Sequence, residues 1–188
     1  MNSSQPHMIM ACGLTGTGKS TILNEIAKQK GITILTSDKM RKELAGISPD
    51  EHRYVAFDSD IYSKEFTEKT YLHLIDEGKK VLLSGQSVIL DACFPKKWQR
   101  DSAKSAAEDV NAKFLCVEFT CPEDVVKVRL AERYDSKEGV SDGRWEIYIG
   151  QKEGFEKVDE FDPEYHMVVD TSEPKEKIIK IIIERLDA

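Results

Sequence analysis

Hydrophobic and polar residues alternate along the chain in blocks of two kinds. Short, almost continuous apolar runs are typical of strands that are buried on both faces of a parallel sheet, and longer stretches with apolar residues every three or four positions are typical of helices. The short runs predict strands over 7–12, 32–36, 87–92, 113–120 and 165–171. The longer stretches predict helices over 19–30, 38–45, 61–78, 96–110, 122–134, 144–159 and 174–187.

This alternation of strands and helices is the pattern of an α/β protein. A chain of 188 residues is long enough for one domain with a substantial core and too short for two ordinary ones. We therefore expect residues 1–188 to form a single domain.

Two segments are each compatible with more than one structural interpretation. YLHLIDE, residues 71–77, imitates a strand that ends in an Asp-Glu pair, but its apolar positions recur at helical spacing. We predict a helix there that ends at Gly78, since a glycine followed by lysines is a helix C-terminus signal. Lys96, Arg100 and Lys104 lie four apart with acids between them, so we expect this stripe to face solvent.

The strongest chemical signal follows the first predicted strand. GLTGTGKS, residues 13–20, matches G-x-x-x-x-G-K-[ST] at every defined position. Its glycines let successive N–H groups face phosphate oxygens, and the helix N-terminus adds positive charge. Lys19 is expected to reach the β- and γ-phosphates, and the Ser20 hydroxyl to hold Mg²⁺. The predicted phosphate-binding residues are Gly13, Thr15, Gly16, Thr17, Gly18, Lys19, Ser20 and Thr21.

The rest of the chain argues against two classes of P-loop protein, the GTPases and the motor ATPases. A GTPase needs an NKxD motif, and none begins at Asn2, Asn24 or Asn111. A motor ATPase needs a strand that ends in Asp-Glu, whereas Asp91 is followed by Ala92. A kinase needs neither feature, because a substrate hydroxyl attacks the phosphate in place of water. The sequence therefore favours a kinase.

Five stretches together resemble a known family: GLTGTGKST, SDKMRKELAG, SVILDACFPKKWQR, RLAERYDSKEGVSDGRW and VVDTSEP. The chain is similar to the P-loop kinases of the AAA-type family that includes the kinase domain of phage polynucleotide 5′-kinase. Zeta toxins, chloramphenicol phosphotransferase and gluconate kinase are more distant relatives. The resemblance implies a three-layer α/β/α fold with a five-stranded parallel sheet in the order 2-3-1-4-5.

Asp38, in TSDKMRKEL, is either a helix cap or a catalytic base. Ligands of such sheets bind at the carboxyl ends of the strands, where Gly13, Asp38 and Asp91 all fall, and this convergence favours catalysis. Arg41 lies one turn after Asp38 and is expected to hold an anionic group of the acceptor, as the matching arginine does in polynucleotide kinase; a surface ion pair is the alternative. Asp91 can orient Arg41, touch the acceptor or support Mg²⁺ through water.

Three arginines suggest a lid over about 129–144. Arg129 and Arg133 lie four apart on a predicted helix and precede a glycine-containing loop and Arg144. Arginines that close over the phosphates stabilise the transferring group and exclude water. The alternative is a solvated helix whose arginines pair with nearby acids. Thr171 and Pro174, after the fifth strand, are expected to border the adenine.

Composition and charge indicate the cellular location and argue against some classes of binding partner. The net charge of −7 argues against an extended nucleic-acid surface, and no apolar run is long enough to span a membrane. The cysteines form no CxxC pair, and the N-terminus lacks the basic segment of a signal peptide. We therefore expect a cytoplasmic protein with reduced cysteines that contacts no membrane.

These observations predict an ATP-dependent kinase that uses ATP and Mg²⁺. It would transfer the γ-phosphoryl group to a hydroxyl of a small-molecule acceptor. The alternatives are a polynucleotide or RNA 5′-hydroxyl kinase and a non-catalytic ATP-binding module. Residues 46–66 are expected to shape the acceptor pocket, but their sequence identifies neither the acceptor nor an oligomeric state.

Overall fold

A single parallel sheet forms the centre of the protein. The computed structural model describes residues 5–47, 63–136 and 145–188. Its five strands lie in the order β2-β3-β1-β4-β5, which confirms the predicted order. The strands are β1 (His7–Cys12), β2 (Thr33–Thr36), β3 (Val88–Asp91), β4 (Lys113–Thr120) and β5 (His166–Asp170).

Helices cover both faces of the sheet. Within the described residues these are α1 (Lys19–Lys30), α2 (Ser37–Leu44), α3 (Lys64–Leu83), α4 (Lys97–Glu108), α5 (Glu123–Ser136), α6 (Trp145–Gly154) and α7 (Lys175–Asp187). Each predicted helix has a counterpart. In this described part of the chain, no helix combines the length and apolarity that a membrane crossing requires.

The core lies in two layers because side chains of a strand point alternately to opposite faces. Met8 and Met10 of β1 pack toward α3 and α4, whereas Ile9 and Ala11 pack toward α1 and α7. Both sets are fully buried. A smaller cluster joins Val126 and Leu130 of α5 to Tyr148 of α6 and to Leu14 after β1. The four cysteines are free thiols.

The strand register brings the candidate site residues to one edge. Asp91, the last residue of β3, pairs with Ala11 of β1 on one side and with Thr36 of β2 on the other. Because the strands are parallel, the segments that follow them all leave from the carboxyl edge of the sheet. The phosphate-loop motif follows β1 there, and α2 follows β2.

The prediction that a helix ends at Gly78 was wrong. The helix across 71–77 exists, but α3 continues through Gly78 to Leu83. Gly78 is buried against β3, and a Cβ atom built on it would lie only 2.8 Å from Cδ2 of Leu90. The glycine therefore permits close approach of helix and sheet, which outweighs its cost within a helix.

The prediction that Arg100 faces solvent was also wrong. Its side chain is 0% exposed and forms an ion pair with Glu160, which is 3% exposed. It also donates hydrogen bonds to the carbonyl oxygens of Phe94, Glu156 and Lys157. Lys96 and Lys104, on either side of it in the stripe, remain partly exposed.

The cause is the chain that follows α6. The helix predicted over 144–159 ends at Gly154, and the next residues pack against the start of α4. The backbone N–H of Glu156 donates to the carbonyl of Pro95 at 2.8 Å, and the Glu156 carboxylate accepts from the backbone N–H of Lys97 at 2.7 Å. These contacts cover the face of α4 that carries Arg100.

Candidate active site

The loop after β1 has the backbone of an anion-binding cradle. Gly13, Gly16 and Gly18 have φ angles of 138°, 76° and 85°, which other residues rarely adopt. There is also no room for side chains: a Cβ atom at Gly13 would lie 2.4 Å from the carbonyl oxygen of Phe119, and one at Gly16 would lie 2.8 Å from Cγ of Leu130. Conformation thus favours glycine at all three positions, and packing is a second reason for glycine at Gly13 and Gly16.

Lys19 and Thr17 stabilise this loop from within. The Lys19 ammonium donates to the carbonyl oxygens of Gly13 and Leu14 at 2.9 and 2.8 Å. The Thr17 hydroxyl donates to the same Leu14 carbonyl at 2.7 Å, and Thr17 is buried. The ammonium therefore lies across the cradle, where an incoming phosphate would meet it.

Ser20 and Asp91 form a hydrogen-bonded pair of oxygen-bearing side chains beside the loop. The Ser20 hydroxyl donates to Oδ2 of Asp91 at 2.6 Å, and Asp91 is 7% exposed. Mg²⁺ prefers oxygen donors and is usually held by one or two protein groups together with substrate phosphates. The described residues contain no cluster of three or more His, Cys, Asp or Glu side chains suited to a metal. Ser20 and Asp91 therefore suit a cation whose other ligands are phosphate oxygens of a nucleotide. Thr21, the next residue of α1, is exposed.

Asp38 is not the cap of its helix. The side chain of Thr36 caps α2 by accepting a hydrogen bond from the backbone N–H of Lys39 at 3.3 Å. Ser37 and Asp38 are the first two residues of the helix itself, and Asp38 is half-buried. A capping role therefore does not account for Asp38.

The electrostatics of Cys93 show which groups meet at the sheet edge. Burial raises the pKa of the Cys93 thiol to about 12; the Lys19 ammonium opposes this rise, and the carboxylates of Asp38 and Asp91 add to it. Lys19 and Asp38 follow β1 and β2, and Asp91 is the last residue of β3. The strand order likewise brings these three groups to one edge, because β3 lies between β2 and β1.

Arg41 is a buried side chain of α2 and not a surface one. It is 6% exposed and donates from Nη1 to the hydroxyl of Thr67 in α3 at 3.1 Å. Tyr71 of α3 lies nearby: burial raises the pKa of its hydroxyl well above the ordinary value, an effect that the Arg41 charge opposes and the Asp38 charge reinforces. The Tyr71 hydroxyl accepts from the backbone N–H of Phe94 at 3.2 Å.

Arg129 contacts the end of β5 and the phosphate loop together. It donates from Nη1 to the Thr171 hydroxyl at 3.0 Å and from Nη2 to the Thr171 carbonyl at 2.7 Å. The Thr171 hydroxyl in turn donates to the carbonyl of Thr17 at 2.6 Å. Nη1 also lies 3.3 Å from the position of a Cβ atom built on Gly18.

The structure describes only some of the other residues that were predicted for the lid and the adenine site. Arg133 lies one turn beyond Arg129 on α5 and is half-buried. Arg144 and the rest of 137–144 lie outside the described residues, so the lid over 129–144 stays a prediction. Pro174 is exposed at the start of α7, four residues after the end of β5.

Gln151 of α6 is a contact of the loop that the sequence did not indicate. Its Oε1 accepts from the backbone N–H of Thr15 at 2.9 Å and from Sγ of Cys93 at 3.2 Å. Cys93 is itself joined to Gly13 by a backbone hydrogen bond of 3.1 Å. Gln151 and Thr15 are 136 residues apart, and no local motif marks the glutamine.

The fold and this loop define a P-loop protein with the fold of nucleotide-dependent kinases. The chain belongs to the AAA_33 family, described as an AAA domain, which it matches over residues 8–156. Two uncharacterized mycobacterial proteins, Rv2004c of Mycobacterium tuberculosis and Mb2027c of Mycobacterium bovis, are each 30% identical over 123 residues. Those residues are 64% of this chain but only 24% of each relative, so the chain matches about a quarter of their length.

Solved structures of kinases share the fold over the whole chain. An unliganded sugar kinase from Janibacter sp. HTCC2649 has a TM-score of 0.71 at 19% identity, covering 98% of this chain and 95% of that one. The APS kinase CysC of Mycobacterium tuberculosis, in complex with AMPPNP and APS, has a TM-score of 0.71 at 17% identity, with 98% and 99% coverage. A gluconokinase from Sinorhizobium meliloti 1021 has a TM-score of 0.67 at 19% identity, with 97% and 92% coverage.

Proposed function

We propose that the protein is an ATP-dependent kinase that transfers the γ-phosphoryl group to a hydroxyl of a small-molecule acceptor. The observation that carries this proposal is the placement of three charged groups at the carboxyl edge of the sheet. Lys19 donates to the carbonyls of the phosphate loop, and Asp91 at the end of β3 accepts from Ser20. Asp38, in the first turn of α2, comes two residues after Thr36, which pairs with Asp91 in the sheet. A phosphate-binding cation, a carboxylate for the acceptor and a carboxylate for a metal are the groups that phosphoryl transfer needs together.

The nucleotide is proposed to bind on residues 13–21. The loop N–H groups and the N-terminus of α1 would hold the phosphates, and Lys19 would exchange its loop carbonyls for phosphate oxygens. Ser20 and Asp91 would hold Mg²⁺, which neutralises charge on the phosphates when it is bound. Thr171 and Pro174 would border the adenine.

Asp38 is proposed to act on the acceptor. Its carboxylate would accept a hydrogen bond from the acceptor hydroxyl, hold that oxygen in line with the bond to ADP, and take the proton as the new P–O bond forms. Arg41, buried between α2 and α3, would bind a polar or anionic group of the same acceptor.

The arginines of α5 are proposed to act on the phosphates. Arg129 already lies beside Gly18 and Thr171, next to the loop. Together with Arg133 and Arg144 it would stabilise the negative charge of the transferring group, and the segment 129–144 would exclude water.

A small acceptor is favoured over a nucleic acid for two reasons. The chain carries a net charge of −7, which repels an extended phosphate backbone. Structures that share the fold include kinases described as acting on sugars, gluconate and APS. The two alternative functions are a polynucleotide 5′-kinase and a non-catalytic ATP-binding module. The experiment below distinguishes them from a small-molecule kinase.

The test is a screen for ADP release from MgATP with sugars, sugar acids, nucleosides, polyols and an oligonucleotide that carries a 5′-hydroxyl. We expect one class of small hydroxyl compound to stimulate ADP release by wild-type protein and not by Lys19→Ala. Stimulation by the oligonucleotide alone would establish the nucleic-acid alternative. MgATP binding without stimulation by any compound would favour the binding module.

A further inference from the structure

Gln151 is the polar contact from α6 to the front of the phosphate loop. Its Oε1 faces the backbone N–H of Thr15 at 2.9 Å and the thiol of Cys93 at 3.2 Å. The Thr15 N–H can only donate, so the amide must present its oxygen here and not its nitrogen. The single thiol hydrogen of Cys93 has a second acceptor, because Sγ also lies 3.0 Å from the Gly13 carbonyl oxygen.

The residues on either side of Thr15 are held by the same pair of helices. Leu14 packs in the cluster formed by α5 and α6, and Gly16 lies directly against Val126 and Leu130 of α5. Apolar packing therefore fixes the neighbours of Thr15, while Gln151 fixes the direction of its N–H group. A backbone held in one conformation loses less entropy when it binds a ligand.

We infer that Gln151 is a positioning residue for the nucleotide, whose amide oxygen keeps the Thr15 end of the phosphate loop in its binding conformation before ATP arrives. This inference rests on the proposed function for the identity of the ligand. The order of the loop is measurable in protein that has not been given nucleotide. It can therefore be measured separately.

The matched variants are Gln151→Leu, Gln151→Glu and Lys152→Ala. Leucine keeps the size of the side chain and removes the acceptor, whereas glutamate keeps an oxygen acceptor. Lys152 is the next residue of α6 and forms an exposed ion pair with Glu123 of α5, so Lys152→Ala weakens a contact between the same helices without touching the loop.

The first measurement is amide hydrogen exchange of residues 13–18 without nucleotide. We expect about tenfold faster exchange in Gln151→Leu, the effect of losing roughly one hydrogen bond, and wild-type exchange in Gln151→Glu and Lys152→Ala. Unchanged exchange in Gln151→Leu overturns the inference, whether or not the protein binds ATP.

The second measurement is the affinity for MgATP by calorimetry. We expect Gln151→Leu to bind about tenfold more weakly and Lys152→Ala to bind as wild type does. Equal or tighter binding by Gln151→Leu would mean that Gln151 competes with phosphate for Thr15, and this overturns the positioning role. If wild-type protein binds no MgATP, the proposed function fails, while the exchange measurement still decides whether Gln151 orders the loop.

Discussion

The proposed site at the sheet edge has one half for the nucleotide and one for the acceptor, and the two halves are built in different ways. The nucleotide half, residues 13–18 with Arg129 and Thr171, is held mainly by backbone groups: carbonyls of the loop accept from Lys19, and the carbonyl of Thr17 accepts from Thr171. The acceptor half, Asp38, Arg41 and Tyr71, is formed by side chains of α2 and α3.

This difference separates two kinds of specificity. A cradle of backbone N–H groups recognises phosphate whatever is attached to it, and many side chains can change around it. Side chains on two helices set the shape and charge of a pocket, so the acceptor depends on which residues stand there. A single substitution within one half should therefore impair either MgATP binding or phosphoryl transfer to the acceptor, but not both.

Asp38→Asn gives the largest expected difference between the halves. The phosphoryl-transfer rate should fall by roughly 10²–10⁴, the usual effect of losing a general base. The affinity for MgATP should stay within about twofold, because Asp38 belongs to the acceptor half. Steady-state kinetics with the acceptor found in the screen give the transfer rate, and calorimetry gives the affinity for MgATP.

Thermal unfolding of the same variant is its control. Thr36 still caps α2 in Asp38→Asn, so we expect the variant to remain folded at the temperature of the activity assay. Full activity of Asp38→Asn, or a loss of ATP affinity equal to the loss of rate, would contradict the division into two halves.

Arg100→Met should weaken both halves together through stability. Removing the arginine leaves Glu160 buried without its ion-pair partner, which typically costs about 3–5 kcal/mol of unfolding free energy. Urea denaturation measures this loss. Lys97→Met is the control, because its ion pair with Asp101 is exposed and should contribute less than about 1 kcal/mol. Equal effects of the two variants would show that the buried pair is not needed.

The same ion pair predicts a pH dependence. Burial raises the pKa of Glu160, but hydrogen bonds and charge from Arg100 outweigh this, and the net pKa is lowered. The unfolded chain therefore takes up this proton first as pH falls, so the stabilisation is complete above about pH 5 and is lost on acidification through the lowered pKa. Urea curves between pH 7 and pH 3 should show this loss in wild type and a smaller one in Arg100→Met.

Thr171→Val should give a smaller effect confined to the nucleotide half. Valine keeps the shape but removes the hydrogen bonds with Thr17 and Arg129, which should weaken MgATP binding about tenfold, or roughly 1.4 kcal/mol. The transfer rate at saturating ATP should not change. Thr33→Val, at an exposed position of β2, is the control. A fall in the saturated rate without weaker binding would place Thr171 in catalysis instead.

The conformation of the phosphate loop could be predicted from sequence because it depends on a short motif. Gly13, Gly16, Gly18 and Lys19 stand close together in the chain, and one backbone path explains all four. The strand order came from a resemblance, and the alternating apolar runs predicted the elements themselves. The loop and the elements depend on local sequence, whereas the strand order was inferred from stretches along the whole chain.

The wrong and missing predictions depend on distant residues. Arg100 is buried because Glu160 and its neighbours, 60 residues later, cover that face of α4. Gly78 lies within a helix because Leu90 of β3 packs against it. Gln151 reaches Thr15 across 136 residues. Such packing against distant segments cannot be inferred from residue spacing within one helix.

The central claim is that the loop over residues 13–20 binds MgATP, and calorimetric titration of wild type and Lys19→Ala tests it most directly. We expect wild type to bind one equivalent of MgATP. The Lys19→Ala variant should bind at least about tenfold more weakly, since charge-assisted hydrogen bonds to phosphate contribute roughly 1.5–3 kcal/mol. Absence of binding by folded wild-type protein, or equal affinity of the two proteins, would contradict the claim.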